Sequence, residues 1–374
     1  MGLFTAITWG MLGAYLLLIL YYLTGWLMIR IFKMDRKYQN PKNTFTIIIP
    51  VRNEAQTIQS CLSHIIKQHY PKNLFEILVI DDFSDDHTTA QVKQFAPGTD
   101  IRIRLIQLDE SGKGQFTKKA AISRGIEQAE FDWIILTDAD CTRGPDWLAS
   151  IDVFINQHHP DMIYAPVEFT AVNLFSRLQA IEFAGLVGIG AAAMAWKQPN
   201  MCSASNLIFS KSIFREVNGY VNNSGIASGD DTFLMYKFFK HNRNGIHFMK
   251  CKEAIVTTEA NVSLKQFAQQ RRRWVSKTKH YPDKSVIAVQ SFIYFMNLFI
   301  LIQLFIQPMQ GIGMLCVKLL VEGVFMLLIL HFFEKKRYFI LLPLLEVIHV
   351  LYILIIGLWA NIGRFTWKGR EFSK

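Results

Sequence analysis

Three long, apolar and almost uncharged runs constrain the fold of this chain more than any other feature. They cover residues 3–29, 286–333 and 339–360 of 374. A run of about 20 apolar residues is long enough to cross a bilayer as a helix, whereas the residues between the first and second runs mix charged and apolar side chains. We therefore expect four regions: an N-terminal transmembrane anchor at 1–32, a soluble domain at 42–282, a membrane region of about three helices at 286–362 and a basic tail at 363–374.

The first apolar run is predicted to be a retained anchor. A cleaved signal peptide is the alternative, but the run is too long for one. No basic residue precedes it, and no clear small-residue cleavage site follows it.

Basic side chains cluster beside the apolar runs, and the net charge of the chain is +10. Positive residues near spans favour the cytoplasmic side. We therefore expect a protein of the cytoplasmic membrane whose central domain lies on the cytoplasmic side. The tail conflicts with this pattern, because it is basic although a fourth span would place it outside. Either the charge rule fails there or one apolar segment lies in the interface. The basic residues beside the apolar runs are Arg30, Lys33, Arg36, Lys37, Lys42, Arg271, Arg272, Arg273, Lys277, Lys279, Lys284, Lys335, Lys336 and Arg337, with Arg364, Lys368, Arg370 and Lys374 in the tail.

Nucleic-acid binding, the other common role of a basic protein, is not expected because no recognition motif accompanies the charge. The five cysteines are scattered, without metal-ligand spacing or a paired framework, which suits a reducing compartment. Nothing in the pattern indicates an oligomeric state.

Strand and helix patterns alternate through the central domain and predict an α/β fold. Short β-branched runs alternate with helical periodicity, which favours a mostly parallel sheet with right-handed crossovers. In such sheets ligands bind beyond the carboxyl ends of the strands. The predicted strands are residues 44–50, 76–80, 101–105 and 133–137, and the predicted helices are residues 54–68, 86–95, 115–129 and 145–157, the last opened by Pro145.

Polar clusters follow three of these strands, in "PVRNEA", "DDFSDD" and "TDADC". In the last cluster, Asp138 and Asp140 are two residues apart, so in an extended chain their carboxylates face the same way. Mg²⁺ usually joins one or two carboxylates to substrate phosphates, so this pair predicts a site for a divalent cation, Mg or Mn. Ordinary turn residues are the alternative, because Asp is favoured in turns.

Three later clusters each have a functional and a structural interpretation. The lysines of "SGKGQFTKKAA" either bind phosphate at a helix N-terminus or form a charged turn. Asp230 and Asp231 supply either a general base or favourable charges at the start of a helix. The three arginines before Trp274 form either a phosphate clamp or a basic belt beside the membrane.

Five motifs in order, "IIIPVRNEA", "VIDDFSDD", "LTDADC", "SGDD" and "QRRRW", resemble those of the membrane-bound family 2 glycosyltransferases. That family is described by the pattern D, D, D, Q(Q/R)xRW. It includes cellulose, chitin and hyaluronan synthases, with ceramide glucosyltransferase as a close variant. The resemblance covers about residues 44–281 and the flanking apolar runs. It implies a GT-A fold, an α/β nucleotide-sugar-binding domain with a mostly parallel sheet, between N- and C-terminal transmembrane helices.

Matched to the family position by position, the motif residues acquire implied roles. Asp231 matches the catalytic base, but "GDD" stands where the family has "ED", so Asp230 is the alternative. Lys118 would approach the diphosphate, with Lys119 as the alternative, because "TKKAAI" stands where the family has a glycine before the lysine. Asp138 and Asp140 match the metal-binding DxD, and Asp138 is also expected to contact the substrate. The other implied substrate-binding residues are Pro50, Arg52 and Glu54 in the nucleotide pocket, Asp81 and Asp82 at the base or ribose, and Gln270, Arg271, Arg273 and Trp274 near the diphosphate and acceptor.

The implied reaction is a single displacement with inversion at the sugar carbon, in which Asp231 takes a proton from the acceptor. The expected partners are a nucleotide-sugar donor, with a UDP-sugar as the expected class, and a lipid or glycan acceptor in the membrane. About four spans are few for a polymer channel, so a lipid acceptor is favoured. The alternatives are a processive synthase of an exported polysaccharide, a non-catalytic scaffold with the same fold and a nucleotidyltransferase.

Polar residues and small-residue runs in the apolar segments are also open to two interpretations. Residues 183–196 predict either an interfacial helix that guides lipid or a buried core helix. Lys318 with Glu322, and Glu346 with His349, are spaced to pair on helix faces. Ionisable groups within a membrane suggest function, although helix packing also accounts for them.

Overall fold

A computed structural model of the protein describes residues 2–34, 40–108, 118–221, 229–277, 280–359, 365–367 and 370–372. The helices are α1 (Gly2–Met28), α2 (Ile58–Ile66), α3 (Thr88–Phe95), α4 (Lys118–Gln128), α5 (Trp147–His158), α6 (Leu174–Ala195), α7 (Lys211–Glu216), α8 (Asp230–His241), α9 (Leu264–Ser276), α10 (Lys284–Ile306), α11 (Pro308–Phe332) and α12 (Leu342–Trp359). The strands are β1 (Phe45–Val51), β2 (Phe75–Asp81), β3 (Arg102–Gln107), β4 (Trp133–Leu136), β5 (Thr142–Arg143), β6 (Met162–Tyr164), β7 (Val167–Thr170), β8 (Leu207–Ser210), β9 (Ile246–Phe248), β10 (Val256–Glu259), β11 (Phe365–Trp367) and β12 (Arg370–Phe372).

The chain divides into two compact units. The first, here called the membrane unit, contains Met1–Ile29, Thr170–Asn200 and Ala260–Lys374, and the second, the sheet unit, contains Arg30–Phe169 and Met201–Glu259.

A sheet in the order β3-β2-β1-β4-β8-β6-β9 forms the centre of the sheet unit. Strands β1, β2 and β4 are almost continuously apolar and buried, as expected of strands covered by helices on both faces. β1 lies parallel to β2 and β4, and β2 lies parallel to β3. The predicted α/β fold with a mostly parallel sheet is therefore confirmed. The antiparallel insertion of β8 between β4 and β6 was not predicted.

Two predicted helix starts are wrong. The helix predicted from residue 54 begins at Ile58, after a turn. We expected Pro145 to be the first residue of a helix, but α5 begins at Trp147 after Asp146. The carbonyl of Pro145 instead accepts a hydrogen bond from the backbone N–H of His69, at 2.8 Å. This hydrogen bond links Pro145, four residues after the "TDADC" segment, to the chain that follows α2.

Five helices in the described residues are long and apolar enough to cross a membrane: α1, α6, α10, α11 and the segment Lys336–Trp359. The sequence predicts about four spans, and the further candidate is α6. It contains most of the small-residue run at 183–196 and begins nine residues before it. The strands β6 and β8, which precede and follow α6 in the chain, pair in one sheet.

Helices α10 and α11 form a hairpin that turns at Gln307, and Gly311 packs against the backbone of Leu304. Lys318, ten residues into α11, pairs with Glu346 of α12. Tyr294, twelve residues before the end of α10, packs against Gly357 of α12. Measured from the turn at Gln307, Lys318 and Tyr294 thus differ in height along the hairpin by only about 3 Å. Their partners on α12, Glu346 and Gly357, are about 16 Å apart along that helix. Helix α12 thus contacts both helices of the hairpin.

Candidate active site

The carboxyl ends of β1, β2 and β4 meet at one edge of the sheet. Val51 is in register with Asp81, and the N–H of Thr137 after β4 donates to the carbonyl of Ile48, at 3.2 Å. The three polar clusters predicted from the sequence therefore begin side by side, with Pro50 one residue before the end of β1.

Arg52 joins the first two of these clusters. Its Nη1 donates to the backbone carbonyls of Asp82 and Phe83, at 2.7 and 3.1 Å. Asn53 and Phe83 both have positive φ, at 54° and 57°, a conformation that costs energy for non-glycine residues and persists where the surroundings impose it. Arg52 thus shapes the loop that contains Asp82, besides being a predicted substrate contact.

Hydrogen bonds hold the rest of this edge in place. The N–H of Glu54 donates to the hydroxyl of Thr88 at 2.8 Å, and the N–H of Ser84 donates to Asp81 at 3.2 Å. Asp81 and Asp82 are buried. These contacts place Glu54 close enough to Asp140 for its charge to raise the pKa of that carboxyl group.

Asp138 and Asp140 lie together but have different partners. The carboxylate of Asp138 accepts from Lys118 Nζ at 2.5 Å and from the Ser205 hydroxyl at 2.6 Å. The carboxylate of Asp140 accepts from the Thr258 hydroxyl at 2.9 Å, on the strand β10 that pairs with β5. Asp138 is therefore held by a cation and a hydroxyl, and Asp140 by a hydroxyl and, at 3.6 Å, the thiol of Cys141.

The pKa shifts follow from this packing. Burial, and next the charge of Asp138, raises the pKa of Asp140. Burial lowers the pKa of Lys118, but the charges of Asp138, Asp230 and Asp231 outweigh it, so the net shift is upward. Lys118 is therefore held protonated, with three carboxylates near it.

Ligand atoms of Asp138, Asp140 and Cys141 all lie within 4.8 Å of one another. Cys141 is buried, and its pKa is raised by burial and by Asp140, so it stays a thiol, which hard cations do not favour. The two carboxylates fit Mg²⁺ or Mn²⁺, because a cation between them relieves the repulsion that raises the pKa of Asp140.

Asp230 and Asp231 begin α8 after Gly229, whose φ is 88°. Asp231 accepts from the N–H of Thr232 at 2.7 Å and from the N–H of Ala204 at 3.2 Å. Asp230 lies 4.0 Å from the buried amine of Lys119. The two acids are thus distinguished: Asp230 pairs with a buried lysine, and Asp231 is held by backbone donors.

The 3₁₀ turn Ala204–Asn206 is the part of this edge that the sequence did not predict. Its Ser205 hydroxyl binds Asp138, and its Ala204 N–H binds Asp231. One turn therefore connects the predicted metal ligand with the predicted base. The small polar run "CSASN", residues 202–206, contains the turn and is a signal that could have indicated it.

The predicted residues Gln270, Arg271, Arg273 and Trp274 lie on α9 in the membrane unit. The guanidinium of Arg271 is buried and paired with Glu182, at 2.7 Å. Lys113, from the predicted phosphate-binding lysines, lies outside the described residues.

Two family models match this chain. The model "Glycosyl transferase family 2" matches residues 46–217, and "Glycosyl transferase family group 2" matches residues 133–360, more than half of the chain. The chain belongs to glycosyl transferase family group 2. The resemblance inferred from the five motifs is confirmed at this level. The match begins at β4 and includes the "TDADC", "SGDD" and "QRRRW" motifs.

Individual relatives are more distant. The chain is 36% identical over 128 residues to the glycosyltransferase AglE of Haloferax volcanii, a match that covers 34% of this chain and 40% of AglE. It is 25% identical over 238 residues to the probable glycosyltransferase YdaM of Bacillus subtilis, covering 61% of this chain and 54% of YdaM. The matches thus span about half, or less, of these relatives.

A similar solved structure supports the fold. The mannosyltransferase PcManGT of Pyrobaculum calidifontis, in complex with GDP-Man and Mn²⁺, superposes with a TM-score of 0.55 at 17% identity, over 93% of this chain and 97% of that chain. At this identity the similarity shows a common GT-A-like architecture.

Proposed function

We propose that this protein transfers a sugar from a nucleotide-diphosphate sugar to a lipid or lipid-linked acceptor in the cytoplasmic membrane. The observation that carries the proposal is the grouping of Asp138, Asp140, Lys118 and Asp231 at one edge of the sheet, connected by the turn that contains Ser205. Carboxylates for a metal, a protonated lysine and a separate carboxylate are the groups that a diphosphate leaving group and a hydroxyl nucleophile require.

Each of these residues has a distinct part in the reaction. The acceptor hydroxyl attacks the sugar carbon, its proton passes to Asp231, and the bond from that carbon to the diphosphate breaks with inversion. Lys118 stabilises the charge on the departing nucleoside diphosphate. A divalent cation held by Asp138 and Asp140 would act there as a Lewis acid.

The contacts also divide the work between the two acids. The carboxylate of Asp138 accepts from the cationic Lys118 and from Ser205, whereas that of Asp140 accepts, among the described residues, only from neutral groups, the Thr258 hydroxyl and the Cys141 thiol. Asp140 is therefore assigned as the principal metal ligand. Asp138 orients Lys118 and also binds either the cation, together with Asp140, or the ribose of the donor. Asp230 is assigned as the structural partner of Lys119.

We further propose that α1, α10 and α11 cross the membrane and that α6 and α12 do not. For α12 the support is that positions 346 and 357 contact α11 and α10 at similar heights of the hairpin. Strand β11 of the tail lies beside α9, so the tail belongs on the side of the basic α9 helix. This arrangement removes the conflict between the tail charge and the charge rule. Three crossings are too few to enclose a polymer channel, so a single transfer to a lipid is favoured over a processive synthase.

The test is transfer by the purified full-length protein in lipid vesicles, with a panel of radiolabelled UDP- and GDP-sugars and Mg²⁺ or Mn²⁺. We expect a glycosylated lipid of one added sugar mass and release of nucleoside diphosphate. A ladder of products would identify a polymer synthase, and release of nucleoside monophosphate would identify a nucleotidyltransferase.

A further inference from the structure

Helix α6 has a single acid, Glu182, in an otherwise largely apolar sequence. Its carboxylate forms a two-pronged ion pair with Arg271 of α9: Nε lies 3.1 Å from Oε1, and Nη2 lies 2.7 Å from Oε2. The guanidinium stacks against Phe267 and Trp274, 4.6 and 4.2 Å from the ring centres. Only 2% of the Arg271 side chain is exposed.

The pair also sets the orientation of the neighbouring Gln270. Arg271 Nη1 donates to Gln270 Oε1 at 2.5 Å, and Asn261 Nδ2 donates to the same oxygen at 2.9 Å. Gln179 of α6 in turn holds the backbone of Asn261, by hydrogen bonds of 2.9 and 3.1 Å. A guanidinium has donors and no acceptor, so the Gln270 atom that faces it must be the carbonyl oxygen. The NH₂ group of Gln270 therefore points away from both partners.

We propose that Glu182 is a positioning residue that, through Arg271, presents the amide NH₂ of Gln270 as a hydrogen-bond donor to a head-group oxygen of the acceptor lipid. This inference rests on the proposed lipid glycosylation. It replaces the role in diphosphate binding that the family resemblance implies for Arg271. Gln270 contacts the acceptor, and Glu182 and Arg271 determine that the NH₂ group of its amide faces the acceptor.

A purely structural role of the ion pair is the competing explanation, because removal of one partner leaves a buried charge unpaired. The membrane unit contains a second buried pair that serves as a matched control. Lys318 lies 2.7 Å from Glu322 and also binds Glu346, and none of the hydrogen bonds described for these three residues involves Gln270. Glu346→Gln therefore removes a buried carboxylate from this unit without altering the Gln270 contacts.

The direct test uses Gln270→Glu, which keeps the oxygen that Arg271 binds and replaces the NH₂ by an oxygen. In full-length protein, we expect Q270E and Glu182→Gln each to raise the KM for acceptor about 10- to 100-fold, with the KM for donor unchanged. In the double variant the losses should not multiply, because both act on one hydrogen bond. E346Q should lower the melting temperature comparably and leave the acceptor KM within about twofold.

A binding measurement separates this inference from the proposed function. Native mass spectrometry would follow retention of two probe lipids, a diacylglycerol and a polyprenyl phosphate, by the wild type and the variants. Weaker retention by E182Q and Q270E, but not by E346Q, supports the inference. Equal retention by all proteins, retention of neither lipid by the wild type, or multiplied losses in the double variant would overturn it. Failure of the proposed function would instead appear as absence of sugar transfer from every donor.

Discussion

Ser205 connects the two predicted centres of the sheet edge: its hydroxyl lies 2.6 Å from Asp138, and the N–H of the preceding Ala204 lies 3.2 Å from Asp231. The contact with Asp138 joins residues 67 positions apart in the chain. The position of the base relative to the metal ligands therefore depends on this turn.

Ser205→Ala should weaken donor binding because it removes one of the two partners that orient the Asp138 carboxylate. A lost hydrogen bond to a charged group predicts a rise of about 10-fold in donor KM. Steady-state kinetics with a fixed acceptor would measure it. Ser212→Ala, on the outer start of α7, is the matched control. An S205A protein with wild-type donor KM would exclude the role assigned to this turn.

Asp140→Asn and Asp138→Asn should differ in their dependence on metal concentration. For D140N we expect a rise of about 100-fold or more in the Mn²⁺ concentration that half-activates the enzyme, because it removes the principal charged ligand. D138N should show a smaller rise in that concentration but a larger rise in donor KM, because Lys118 loses its partner. Manganese titrations of activity would measure both. Identical titrations for the two variants would contradict the division of work.

Asp231→Asn should lower kcat by about 10²- to 10⁴-fold, the usual contribution of a general base, with little change in donor KM. The matched variant is Asp230→Asn, which removes the partner of the buried Lys119 and should lower the melting temperature more than kcat. Single-turnover rates and thermal melting of both proteins would separate these effects. If D230N abolished turnover and D231N did not, Asp230 would be the general base and the assignment of Asp231 would be wrong.

The tail should lie on the cytoplasmic side of the membrane. An alkaline phosphatase fused after Lys374 should be inactive in cells and a green fluorescent protein should be fluorescent, because α12 is proposed not to cross the bilayer and β11 lies beside α9. A fusion placed in the turn at Gln307 should give the opposite pair of results. Active phosphatase at the tail would show that α12 crosses the bilayer.

The sheet edge was predictable because its signals are local. The apolar runs of β1, β2 and β4 and the acids directly after them fix both the strands and the side on which the acids lie. The role of Ser205 was not predictable, because it depends on β8 inserting antiparallel beside β4. The choice of Asp231 over Asp230 rests on the family pattern alone, with Asp230 as the alternative.

The membrane unit was less predictable because length and polarity do not specify helix direction. Lys336–Trp359 is long and apolar enough to cross, and its contacts with Lys318 and Tyr294, which the sequence does not reveal, support the proposal that it does not. Similarly, the ion pair of Arg271 with Glu182 was not predictable, because Glu182 lies 89 residues away in an apolar helix.

The central claim is tested most directly by incubating the purified full-length protein with a radiolabelled UDP-sugar, Mn²⁺ and membrane lipids, and determining the product mass beside D140N and D231N. We predict one lipid product heavier by a single sugar, with nucleoside diphosphate released in equal amount and both products lost in the two variants. A polymeric product, or a lipid product formed equally by D140N and D231N, would contradict the account.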